Sequence, residues 1–197
     1  MSDILYRYCG SLYVKMTNRC PNRCTFCVRN STDALGSADS LWLDKEPTVD
    51  ELYREFHKWN MKDYEEVVFC GYGEPTERFD VLLKVADHIH AKYGKRVRLN
   101  TNGLGSLING RDIVPEMAGK IDRISISLNA PNAERYDEVC RSRFGLEAFP
   151  AILEFIRECR ETIPGVTVSV VSGSISQAEE DECERMARSM NVAFRSR

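Results

Sequence analysis

Residues 123–129, Arg-Ile-Ser-Ile-Ser-Leu-Asn, alternate apolar and polar side chains at the two-residue period of a β-strand. Such a strand buries one face and leaves the other polar, whereas strands of a parallel sheet covered on both sides are apolar throughout. The sheet is therefore expected to have one dry face and one polar face that can line a cavity. Strands are predicted in six segments: Ser11–Met16, Glu66–Gly71, Arg96–Thr101, Arg123–Leu128, Val166–Val171 and Val192–Arg195.

Helical patterns fill the intervals between these strands. Thr48 with Glu51, and Ser176 with Glu179, have the spacing of a capping box that opens a helix. A short helix is also expected at Asp112–Ala118. Because strands and helices alternate, we predict right-handed crossovers and a curled or barrel-like parallel sheet, with the chemistry at the carboxyl ends of the strands. Antiparallel strands with one solvated face are the alternative.

Length and composition are those of an ordinary globular chain. The 197 residues are 43% hydrophobic and 29% charged, and the net charge of −3 creates no overall field that would recruit nucleic acid or an anionic membrane. No apolar run approaches the roughly 20 residues of a membrane-spanning helix, and the first residues lack a signal-peptide pattern. We therefore expect one cytoplasmic domain whose eight cysteines are reduced.

Three cysteines follow the first predicted strand at the spacing C-x3-C-x2-C, namely Cys20, Cys24 and Cys27. Thiolates this close on one loop can converge on a single metal centre. A structural zinc site or an electron-transfer [4Fe–4S] cluster normally takes four ligands, so three leave one position open. The spacing therefore indicates a cluster to which a substrate or cofactor binds directly. A zinc site completed by a distant Cys or His, or three unrelated core cysteines, are the alternatives.

The cysteine motif, with Phe26 before its last cysteine, resembles the cluster motif of the radical S-adenosylmethionine (SAM) superfamily. Residues 71–75, Gly-Tyr-Gly-Glu-Pro, are similar to its Gly-Gly-Glu motif, and residues 127–129 lie where relatives carry polar contacts. The amino-acid sequences of several segments, including Thr101-Asn102-Gly103, look closer still to those of the TatD-linked radical SAM family. The resemblance implies a partial (βα)6 TIM-like barrel, a parallel six-stranded curved sheet with helices outside. It also implies a single core domain over residues 1–197, with its cluster loop at residues 17–30.

That resemblance implies an enzyme with one [4Fe–4S] cluster on Cys20, Cys24 and Cys27 and with SAM bound at the fourth iron. In such enzymes, one electron splits SAM into methionine and a 5′-deoxyadenosyl radical, which takes a hydrogen atom from a substrate. Here the substrate is unidentified: a protein, a nucleotide or a nucleic acid. The residues expected to bind the cofactor are Phe26, Gly71, Tyr72, Gly73, Glu74, Asn100, Asn102, Ser127, Asn129 and Val171.

Three cations share the polar face by alternation: Lys15, Arg98 and Arg195. We expect at least one of them to pair with the SAM carboxylate or with an anionic group of the substrate. The other five cysteines are interpreted as structural. Among them is Cys70, for which core packing is favoured although it directly precedes the glycine motif. A second cluster is not expected.

The long irregular segment at residues 31–47 is predicted to be a lid or a docking loop. Expected partners are a one-electron donor of flavodoxin or ferredoxin type and, by family association alone, a TatD-type metal-dependent hydrolase. A non-catalytic metal-binding module, with zinc or an electron-transfer cluster on the same loop, is the alternative function. Such a module would have no need of the turn at residues 71–74 or of Ser127 and Asn129.

Overall fold

A computed structural model describes residues 3–32 and 34–197. These residues form one seven-stranded sheet whose strands lie in chain order; the first pair is antiparallel and every later pair is parallel. The strands are β1 (Leu5–Tyr8), β2 (Ser11–Val14), β3 (Glu66–Phe69), β4 (Arg96–Thr101), β5 (Arg123–Ser127), β6 (Gly165–Val170) and β7 (Ala193–Ser196). The helices are α1 (Val49–Phe56), α2 (Phe79–Tyr93), α3 (Gly105–Asn109), α4 (Ala133–Cys140), α5 (Ala148–Thr162) and α6 (Gln177–Ser189).

The six parallel strands β2–β7 are those that the sequence predicts, and the α/β fold with a parallel sheet is confirmed. The strand β1 was not predicted. It joins β2 through the two-residue turn Cys9-Gly10, in which both residues have positive φ (46° and 79°), as the turn of a tight hairpin requires. Because β1 and β7 are the two edges of the sheet, the described strands do not close into a barrel.

One face of the sheet packs against the helices. Leu99 of β4, Ile126 of β5 and Val168 of β6 are fully buried there, together with Leu82 of α2 and Ile152 of α5. Their alternation with polar residues along each strand gives the dry face that the sequence predicts. In the part of the chain that the structure describes, no helix has the length and apolar character to cross a bilayer.

The predicted capping boxes open two of the helices. Thr48 caps α1 and Ser176 caps α6, each with the reciprocal glutamate hydrogen bond in place. The short helix expected around Asp112–Ala118 is present only as the single 3-10 turn Pro115–Met117. The proline opens this single turn, and Gly119 directly after the segment adopts a positive φ of 70°, which does not continue a helix.

The other face of the sheet is divided into an aromatic half and a polar half. Tyr6, Tyr13 and Val68, from β1–β3, pack with Ala38 and Leu41 of the long segment into a second apolar cluster. The segment thus covers the first three strands. The same face of β4–β7 remains polar, and the functional groups lie there.

Candidate functional site

The three cysteines of the motif and all ten residues expected to bind the cofactor line one cavity of about 290 Å³. The cavity lies at the carboxyl ends of β3–β6, where parallel strands bring their following loops together. It also takes in residues that sequence reasoning did not assign to the site: Asn22, Val28, Cys70, Thr101 and Arg197.

The cysteine loop is fastened to the carboxyl end of α4. The backbone N–H of Arg23 donates to the Cys140 carbonyl at 3.0 Å, and that of Thr25 donates to the Val139 carbonyl at 2.9 Å. The last carbonyls of a helix have no partner within the helix, so the loop satisfies them. Helix α4 therefore holds the loop that carries the three cysteines.

A fourth cysteine lies against this loop. The Cys140 thiol is fully buried and hydrogen-bonds with the Cys24 thiol, which lowers the pKa of Cys24. The amide nitrogen Nδ2 of Asn129 lies 3.9 Å from the Cys140 Sγ. Cys140 is thus structural, as predicted, but what it supports is a proposed cluster ligand.

The Cys20 thiol sits in a different environment. Burial, and then the nearby Glu74 carboxylate, raise its pKa to about 12. In the metal-free chain Cys20 is therefore protonated near neutral pH, and a metal centre that binds it must displace the proton. The amide nitrogen Nδ2 of Asn102 lies 3.9 Å from the Cys20 Sγ, where it can donate to a sulfur ligand.

The buried carboxylate of Glu74 ties the loops of the site together. Its oxygens accept hydrogen bonds from the Thr101 hydroxyl at 2.7 Å, the Asn102 backbone N–H at 2.7 Å and the Thr76 hydroxyl at 2.8 Å. Its own backbone N–H donates to the Arg19 carbonyl at 2.8 Å. Burial raises the pKa of Glu74, and these donors partly offset that rise. Since its oxygens already have partners, Glu74 acts here by positioning the cysteine loop and the end of β4.

Gly73 lies where the chain passes closest to the cysteine loop. A Cβ on Gly73 would lie 2.2 Å from the Thr17 carbonyl oxygen and 2.7 Å from that of Arg19. The atom nearest to a Cβ on Gly71 would be the Lys15 Cγ, at an ordinary contact distance of 3.4 Å. Gly73 therefore has a steric requirement for glycine that Gly71 lacks.

Two amide oxygens in the cavity are left for a ligand. The Oδ1 atoms of Asn100 and Asn129 are buried and have no hydrogen-bond partner in the described structure. Asn129 also has a left-handed backbone, with φ of 60°, a strained conformation that recurs at functional sites. Buried acceptors without partners carry a free-energy cost that a bound donor would remove.

The rim of the cavity is apolar in part and is bordered by the long segment. Phe26 and Val171 line it, and the Tyr72 hydroxyl donates to the Thr32 carbonyl while its ring packs edge-on against Trp42 at 4.8 Å. Cys70 packs on the second apolar cluster, as predicted, and it also lines the cavity. Contacts of residues 34–47 with the sheet place this segment beside the site, and its role as a lid stays a prediction.

The structure separates Lys15 from the other two cations that are predicted to meet an anion. Lys15 is fully buried, and its ammonium donates to the Ser40 carbonyl at 2.6 Å beneath the long segment. Arg98 and Arg195 line a second cavity, of about 360 Å³, on the polar face. None of the three lines the cavity with the cysteines.

The donor set of the first cavity suits an iron–sulfur cluster with a bound cofactor. Among residues 3–32 and 34–197, no group of three or more His, Cys, Asp or Glu side chains is arranged to hold a single metal ion. A cluster makes a different demand, because each cysteine binds a different iron. Three features fit that demand. Three cysteines lie on one loop, two amide oxygens of the same cavity have no hydrogen-bond partner, and a glycine lies where the backbone comes closest to the cysteine loop.

Comparisons with known proteins agree with this geometry. The sequence profile of the radical SAM superfamily matches residues 14–187. The chain is 27% identical over 191 residues to a GTP 3′,8-cyclase of Bradyrhizobium diazoefficiens, a match covering 95% of this chain and 51% of that protein. It is 33% identical over 147 residues to the same enzyme of Corynebacterium glutamicum, covering 71% and 36%. The chain thus spans about half the length, or less, of these curated relatives.

Solved structures show the same fold. A radical SAM methyltransferase from Sphaerobacter thermophilus matches with a TM-score of 0.62 and 18% identity over 98% of this chain and 57% of that one. The enzyme anSMEcpe with bound AdoMet matches with a TM-score of 0.61 and 17% identity over 93% and 50%. With the profile covering most of the chain and its motif residues gathered around one cavity, the chain belongs to the radical SAM superfamily, enzymes whose members bind a [4Fe–4S] cluster and SAM.

Proposed function

We propose that this chain holds a [4Fe–4S] cluster on Cys20, Cys24 and Cys27, cleaves SAM reductively and oxidises or rearranges a substrate by hydrogen abstraction. One observation carries the proposal: the three cysteines and the residues matched to the SAM motifs come from separate segments, yet they line one cavity. When bound, the cluster and SAM supply a one-electron cleavage and a radical that takes hydrogen. The protein supplies placement and exclusion of water.

Each part of the cavity has a task in that placement. The three thiols hold the cluster, with Asn102 directed at one sulfur and Cys140 supporting another. The glycine turn at residues 71–73 lets the backbone approach a polar cofactor without a Cβ in the way. The free Oδ1 atoms of Asn100 and Asn129 accept hydrogen bonds from its hydroxyl or ammonium groups.

Phe26 and Val171 give the cavity an apolar wall. Such a wall suits the adenine ring, which has two apolar faces, and it limits access of water to a radical. The Ser127 hydroxyl accepts a hydrogen bond from the Arg197 guanidinium at 2.7 Å and is thereby held at the edge of the cavity. We assign Ser127 to polar contacts with the cofactor.

For partners, we propose an acidic one-electron donor of flavodoxin or ferredoxin type that docks on the cysteine loop. Arg23 and Val28 of this loop are exposed, which provides a cation and an apolar contact close to the cluster ligands. The motif sequences resemble those of TatD-linked radical SAM proteins, which supports a TatD-type hydrolase as a second partner. That second assignment rests on association only.

The test is anaerobic formation of 5′-deoxyadenosine. The chain would be reconstituted with iron and sulfide, given SAM and dithionite, and assayed by mass spectrometry beside a Cys24→Ala variant and a matched Cys183→Ala variant. We expect product from the wild type and from Cys183→Ala, a buried thiol on α6, and none from Cys24→Ala. Zinc in place of iron, or a loaded cluster that leaves SAM intact, would instead support a metal-binding module.

A further inference from the structure

The second cavity lies on the same polar face as the first, nearer the amino ends of β4–β7. Its volume is about 360 Å³, within the range of small-molecule sites. The side chains used below are Arg98, Arg123, Arg195, Ser125 and Thr167, and no carboxylate lines the cavity in the part of the chain that the structure describes.

Strand register explains why these groups gather. Arg98 of β4 pairs with Arg123 of β5, and two residues along, Ser125 of β5 pairs with Thr167 of β6. Side chains two residues apart on a strand share a face, about 7 Å from one another. The same spacing leads from Arg98 to Asn100, which lines the first cavity, so the two cavities are neighbours along β4.

Two of the three guanidinium groups lie within ion-pairing distance of one buried carboxylate, that of Glu66. The Glu66 oxygens lie 3.4 Å from Arg98 Nε and 4.0 Å from Arg123 Nη1, and Arg98 Nη2 donates to the Tyr13 hydroxyl at 3.1 Å. For Arg195, the described chain has no carboxylate within ion-pairing distance. With three guanidinium groups and one neighbouring carboxylate, the cavity has a net positive charge.

We propose that this cavity binds the phosphate group of a small phosphorylated substrate and so places a carbon of that molecule at the first cavity. The inference rests on the proposed radical function and names its substrate class. A phosphate carries close to two negative charges and three strong acceptor oxygens. Planar guanidinium groups from different strands, joined by the hydroxyls of Ser125 and Thr167, match that acceptor set better than they match a single carboxylate.

The test is calorimetric binding to the reconstituted chain, with ribose 5-phosphate, inorganic phosphate and ribose as probes. We expect both phosphates to bind and ribose not to bind. Replacing one arginine, in Arg123→Gln or Arg195→Gln, should weaken binding about tenfold or more, because hydrogen bonds to charged groups commonly carry that factor. The matched control is Arg157→Gln on α5, since the Arg123 and Arg157 side chains are 56% and 58% exposed. The affinity of the Arg157→Gln variant for phosphate should equal that of the wild type.

Two results would overturn the proposal: equal phosphate affinity in the wild type and the Arg123→Gln variant, or binding of ribose that is as tight as binding of ribose 5-phosphate. The measurement does not depend on SAM cleavage, so the two proposals fail separately. Phosphate binding that requires Arg123 without any 5′-deoxyadenosine would retain the anion site and remove the radical function. Formation of 5′-deoxyadenosine with phosphate binding independent of the arginines would remove the anion site alone.

Discussion

Replacing Gly73 by alanine tests whether the glycine turn fixes the cysteine loop. The added Cβ would lie 2.2 Å from the Thr17 carbonyl oxygen, whereas real Cβ contacts stay above 3.0 Å, so an atom must move by about 0.8 Å. The neighbouring atoms belong to the backbone and cannot rotate away. Overpacking of this kind costs about 1–3 kcal/mol, and a rigid neighbour favours the upper value. For a chain of this size, that loss lowers the melting temperature by about 6–12 °C.

Gly71→Ala is the matched control, because its Cβ would lie 3.4 Å from the Cγ of the Lys15 side chain, an ordinary contact. Thermal unfolding and iron content after reconstitution would be measured for both variants. We expect Gly73→Ala to melt lower and to load less iron, while Gly71→Ala melts close to the wild type. If Gly73→Ala kept both the melting temperature and the iron content of the wild type, the steric argument would be refuted.

Three further changes have defined outcomes. Cys140→Ala removes the thiol behind the cysteine loop, so the cluster should lose iron to EDTA faster than in a Cys183→Ala control, and equal rates would contradict this role. Glu74→Gln sets an amide NH2 against backbone and hydroxyl donors, which should lower the free energy of unfolding by about 1–3 kcal/mol; an unchanged urea midpoint would argue against it. The Lys45 ammonium and a backbone N–H lower the pKa of Glu51 from its usual 4.5 to about 2. The stability that Glu51 adds is therefore present above pH 4.5 and lost as the pH falls toward 2. The stability gap between the wild type and Glu51→Gln should shrink from pH 6 to pH 3, and a constant gap would show that the pKa shift is absent.

Local signals in the sequence predict much of the fold. The capping boxes of α1 and α6 depend on residues within one helical turn, and the structure has both of them in place. The strand β1 escaped prediction because Cys9 is an unusual residue at a positive φ, so the hairpin turn was not evident. The helix α3 was also not predicted. It follows Gly103 and begins at Gly105, and neighbouring glycines favour a turn over a helix.

The gathering of the site could be predicted in outline, since loops after parallel strands meet at one end of a sheet. The support of Cys24 by Cys140 could not, because it depends on where α4 packs, far along the chain. The place of Arg123 beside Arg98 depends on strand register, which alternation alone does not determine. Alternation places Lys15 on the same face as the arginines, yet the long segment buries it. No local sequence pattern predicts that this segment covers Lys15.

The central claim is that three cysteines hold a cluster with one iron open to SAM. Electron paramagnetic resonance of the reconstituted, dithionite-reduced chain, recorded with and without SAM beside an iron determination, tests it most directly. We predict about four irons per chain and a cluster signal that shifts when SAM is added, with both features lost in Cys27→Ala. A cluster signal that SAM leaves unchanged, or a chain that retains its cluster without Cys27, would contradict the claim.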